Sequence, residues 1–84
     1  MKVVNYKSNQ QLLVTPAFTC HMSYGVPQVV VWNKERLTLV TTKRYSNTTN
    51  KHRNAAVRDL HPSNFTMIEA TPAEIQEITG LETA

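Results

Sequence analysis

The sequence predicts an α+β domain, a small and mainly antiparallel sheet of four to five strands with two short helices. Three observations carry this. Residues 18–24 alternate strictly, with Phe18, Cys20, Met22 and Tyr24 on one side and Thr19, His21 and Ser23 on the other, the period of a half-buried strand. Two apolar runs, 29–32 and 37–41, flank a short polar loop as the arms of a hairpin do. Thr71, Pro72 and Glu74 supply an N-cap, a proline at the first helical position and a Glu three residues after the cap, which together start a helix. At 84 residues the chain is read as one domain, 1–84, with a modest core, since a domain this small buries only about 60% of its unfolded surface.

In chain order, Val3, Val4 and Tyr6 make a short strand, the polar 8–11 segment a turn, and 12–14 a second apolar run that Thr15 and Pro16 end. The 18–24 alternation predicts Cys20 inside and His21 outside. Gly25 and Pro27 close that strand. The 29–32 arm of the hairpin is apolar on both faces and belongs at the centre of the sheet. After Thr41 a helix is expected over 48–60, capped somewhere among Ser46 to Thr49, because those side chains accept the free N–H groups of a first turn. His52, Ala56 and Leu60 recur at helical spacing and face inward, with Lys51, Ala55 and Arg58 on another face. Pro62 ends this helix, 65–68 forms a last strand, and a second helix over 72–79 stops at Gly80.

The charge is unevenly placed. The net +3 conceals a stretch from Lys34 to Arg58 that holds seven basic residues and one acid, followed by five acids and no further cation. Such a field favours an acidic partner for the middle of the chain, either an acidic protein surface or nucleic acid. One cysteine excludes an internal disulfide and a cysteine-based zinc knuckle, and no run approaches the ~20 apolar residues of a membrane span. The polar start of the chain lacks a secretory apolar stretch, so residence in the cytoplasm without membrane attachment is expected.

The candidate binding residues are Lys43, Arg44, Tyr45, Ser46, Thr48, Thr49, Lys51, Arg53 and Arg58. Hydroxyls and N–H groups at a helix start, with cations beside them, can hold a phosphate, although caps flanked by solvated lysines are common without one. Tyr45 among cations, with Trp32 nearby, can stack a base; each ring can equally serve packing. Cys20, His21, His52 and His61 have no metal-ligand spacing, so neither metal nor cofactor is expected. His52 on an apolar ridge reads as a packed histidine before it reads as a general base. A metal-free ribonuclease using His52 or His61 with Arg44, Lys51 and Tyr45 is the third reading, behind protein and nucleic-acid binding, and no enzymatic activity is expected. A chain this small with an apolar central strand can also dimerise to cover an edge.

Tyr24, Gly25, Val26 and Pro27, then the hairpin, then TTKRYS at 41–46 and TTNKH at 48–52, resemble a family of small bacteriophage proteins with the pattern SYGxP, a hairpin, and TTKxYSxTTxKHxN. The resemblance covers 18–58, about half the chain, and its second part is the more specific. Val26 stands where Thr is usual and Asn50 where Ser is usual. The resemblance implies a phage origin, expression in a bacterial host cytoplasm and a role in host takeover or counter-defence; it assigns no site residue.

Overall fold

Five strands follow one another by short turns, β1 (Lys2–Lys7), β2 (Gln10–Val14), β3 (Phe18–Ser23), β4 (Val26–Trp32) and β5 (Leu37–Thr41). The chain then crosses over through helix α1 (Asn47–Leu60) to β6 (Thr66–Ala70) and ends in helix α2 (Pro72–Thr79). This computed structural model describes residues 2–81. The six strands form a single sheet in sequence order, antiparallel from β1 to β5 and parallel between β5 and β6. A parallel neighbour cannot be reached by a tight turn, so the helix in the crossover is what that pairing requires. The architecture is α+β as expected, with six strands in place of four to five. Each of the six contains a segment that the sequence marks as a strand, the two edge strands included, although these bury few residues.

Each turn has its local cause. Between β3 and β4, Tyr24 and Gly25 both take positive φ, 52° and 77°, the pattern of a two-residue turn whose twist matches that of the flanking strands. Glycine adopts this freely; tyrosine does so at a cost of about 1–2 kcal/mol. In β4 the register slips by one residue opposite His21 and Met22, leaving Gln28 as a buried bulge. Both arms of the predicted hairpin are interior strands, and β4 is buried along most of its length.

The two faces of the sheet differ in chemistry. One is apolar: Leu13, Phe18, Cys20, Val30, Leu39 and Ala70 gather under Ile75 of α2, with Trp32, Leu37 and Ile78 packed against them. Ile75 is fully buried, which contributes about 1.5–3 kcal/mol. An eight-residue helix has no stability alone. Here the Thr71 hydroxyl accepts from the Glu74 N–H, the Glu74 carboxylate accepts from the Thr71 N–H, and Gly80 closes the far end at φ 72°. Both ends and the span 72–79 agree with the expectation.

The other face carries Gln10, His21, Ser23 and Thr38, all buried, and α1 covers it. His21 was expected to face solvent, yet it has no exposed surface. The alternation correctly sets it opposite Cys20; the correction is that a helix covers the second face as well. Helix α1 starts at Asn47, one residue before the expected 48, because Ser46 is the cap and accepts from the Thr49 N–H at 3.1 Å. His52, Ala56 and Leu60 do turn inward, with Ala56 fully buried. The last strand is Thr66–Ala70, displaced from the expected 65–68.

Candidate functional site: a basic groove beside helix α1

Helix α1 rests on β3 and β4, while α2 rests on β4 and β5 on the opposite side. The α1 side of β5 and β6 is therefore left open, and the gap between helix and strands is a groove. It holds two adjoining cavities. One, of about 500 Å³, is mainly apolar and lined by Val40, Asn54, Val57, Arg58, Met67, Ile68 and Glu69. The other, of about 310 Å³, is polar and lined by Val40, Thr41, Thr42, Arg44, Arg53, Asn54 and Glu69. Val40, Asn54 and Glu69 border both, so the two are continuous.

The topology explains which cations arrive there. Arg44 lies in the loop that leaves the carboxyl end of β5, Arg53 in the amino-terminal half of α1, and Arg58 one and a half turns further on. Arg53 is partly buried, and its Nε atom is shielded from solvent with no hydrogen-bond partner among the described residues. Among the described residues Glu69 is the one carboxylate of the groove, and it forms no ion pair there with any of these arginines. The groove thus carries a net charge of +2 from its own lining. A guanidinium with an unfilled, shielded donor, as Arg53 has, favours a carboxylate or phosphate oxygen.

The other candidates fall elsewhere. Lys43 is exposed and its ammonium lies 5.0 Å from the centre of the Tyr45 ring. Tyr45 is partly buried, and burial raises its hydroxyl above the ordinary value. Ser46 caps α1, its hydroxyl also donating to Thr49 Oγ1 at 3.1 Å, and Thr49, inside the helix, is buried. Thr48 and Lys51 are exposed and do not line the groove. Trp32 packs on the α2 side, away from it. Of the nine candidates, Arg44, Arg53 and Arg58 are the three that line the groove, Arg44 and Arg53 at the polar cavity and Arg58 at the apolar one.

The histidines do different work. Ser23 Oγ and His52 Nδ1 share a hydrogen bond of 2.9 Å, and the His52 ring stacks on Tyr24 at 6.0 Å. His61 Nδ1 and Thr38 Oγ1 share one of 2.7 Å. His21 Nε2–H donates to Gln10 Oε1 at 2.8 Å, Tyr6 meets its ring edge-on, and its Nδ1 has no partner. The Tyr6 hydroxyl donates to Asp59, which also pairs with Lys7 at 3.2 Å. Burial, reinforced by His52 and Lys7, lowers the His21 pKa to about 4. These contacts fasten α1 to the sheet at both ends. Ser23, Thr38 and Gln10 are the residues the sequence reading passed over; polar side chains on the non-apolar face of predicted strands were the available signal.

A nucleophile needs an open approach, and Ser23 is 1% exposed. His52 and His61 are nine positions apart, roughly 13 Å along a helix axis, too far to act on one phosphate as an acid–base pair. No helix among the described residues is long and apolar enough to cross a membrane. No family model matches the chain, and no curated protein or solved structure matches it significantly.

Proposed function

We propose that this is a non-enzymatic binding protein whose groove beside α1 takes an acidic region of another protein. The observation that carries the reading is the convergence of Arg44, Arg53 and Arg58 on a cleft that is apolar along half its length. Cations with an apolar floor suit a protein surface, where aliphatic and carboxylate side chains alternate. With the phage resemblance of 18–58, the concrete form is inhibition of a host or defence protein in the bacterial cytoplasm, by occupying its acidic face.

Nucleic-acid binding is the second reading, and Tyr45 beneath Lys43 is the feature that favours it. Glu69 in the middle of the groove counts against a polyphosphate track there. The test is capture from nuclease-treated bacterial lysate by the wild-type protein and by an Arg44→Glu, Arg53→Glu variant of unchanged circular dichroism. A host protein retained by the first and lost by the second is expected. Binding to mixed-sequence DNA that falls steeply with salt, with no protein retained, would overturn the reading in favour of nucleic acid.

A further inference from the structure

We propose that the partner's acidic segment enters the groove as an extended strand that adds to the open edge of β6, which rests on the binding reading above and specifies its geometry. β6 is last in the strand order and has β5 on one side only. The Thr66 N–H donates to Arg36 O, and Ala70 O accepts from the Thr42 N–H. A strand residue turns its N–H and C=O to the same side and the next residue turns them to the other. Thr66, Ile68 and Ala70 therefore engage β5, and Met67 and Glu69 direct two N–H and two C=O groups outward. A strand consumes both donors and acceptors, whereas a phosphate backbone uses donors alone.

Side chains point the same way. Met67 is 51% and Ile68 38% exposed, and as neighbours in a strand they occupy opposite faces. Both border the apolar cavity where it meets the free edge of β6, and an added strand shields the two together. Alternate side chains of that strand, about 7 Å apart, would enter the groove, one reaching the apolar cavity beside Val57 and Met67 and the next the polar cavity beside Arg44 and Arg53. The fitting segment therefore places an apolar residue and a carboxylate two positions apart. Three arginines against Glu69 match such a segment in charge. A second copy of this chain, offering the same cationic edge, does not.

The probe is a random twelve-residue peptide library displayed on phage and selected on the immobilised full-length protein. Enrichment of peptides with the apolar–x–acidic spacing is expected, and the best of them, made synthetically, should slow exchange of the Met67 and Glu69 amide protons at least tenfold in the wild-type protein. Glu69→Pro removes an outward donor without touching the β5 ladder and should weaken that peptide at least tenfold, as should Arg44→Gln with Arg53→Gln. Peptides that depend on the arginines but leave both amides unprotected overturn strand addition and leave the acidic-partner reading standing. Selection that returns no peptide dependent on either overturns both. Protection that appears on concentrating the protein alone, or on adding duplex DNA, assigns the edge to a second copy or to nucleic acid and overturns the proposal.

Discussion

His21 is neutral because nothing beside it welcomes a proton. Its Nδ1 lies buried without an acceptor, and His52 and Lys7 are its charged or chargeable neighbours. A histidine whose folded pKa lies near 4 against an ordinary 6.5 binds its proton more readily when unfolded. Stability is therefore full above about 6.5 and falls as pH drops toward 4, by up to about 3 kcal/mol. Urea midpoints between pH 7 and 4.5 should decline in the wild type and flatten in His21→Gln. Asp59 is held below the usual carboxylate value by the Tyr6 and Lys7 hydrogen bonds, so its own loss comes at lower pH, as the solution passes through that depressed pKa. Cys20 gives the complementary case: burial pushes its thiol up to about 12, so too little thiolate forms at neutral pH for attack. Alkylation by iodoacetamide should be negligible in buffer and rapid in urea; labelling at equal rates would contradict the burial. Which side of β3 each of these residues takes was legible in the alternation of 18–24. That His21 is buried was not, because its cover comes from a helix about thirty residues later and no local pattern encodes that.

Helix ends were legible because they are written locally. Thr71, Pro72, Glu74 and Gly80 act within a turn of themselves, and the span of α2 follows from them. For α1 the cap was narrowed only to 46–49, since Ser46, Thr48 and Thr49 are all competent acceptors; the fold selects Ser46. Ser46→Ala should cost about 1 kcal/mol, read as a lower denaturation midpoint with an unchanged m-value. Ile75→Ala, which empties the centre of the α2 face, should cost about 2–5 kcal/mol. A cost from Ser46→Ala equal to that of Ile75→Ala would show that the hydroxyl does more than cap. The position of α1 over β3 and β4 was not legible. It is set by contacts distant in sequence, Ser23 with His52 and Thr38 with His61, and the groove exists only because of that displacement. The candidate cations are accordingly legible as a group, while the three that line the groove cannot be told in sequence from the six candidates that do not.

Across the molecule the two helices separate the charge. Helix α1 carries Lys51, Arg53 and Arg58 against one acid, Asp59, which pairs with Lys7, and α2 carries Glu74 and Glu77, on opposite faces of a sheet in a body 24 Å across its shorter axes. The net charge of +3 understates the field that an approaching acidic surface meets at the groove. Screening decides how much of α2 that surface feels. At about 0.15 M salt the Debye length is ~8 Å, well short of the distance between the faces, whereas at 0.01 M it is ~30 Å and spans it. Association with a polyglutamate chain, followed by stopped-flow fluorescence of a label placed at the groove, should slow at least tenfold between these salt concentrations. Glu74→Gln with Glu77→Gln should speed association at 0.01 M and leave it unchanged at 0.15 M, while Arg44→Gln with Arg53→Gln should slow it at both. Acceleration by the α2 variant at 0.15 M as large as at 0.01 M would mean that the acids lie within reach of the binding face, and that the sheet does not divide the molecule into a basic side and an acidic one.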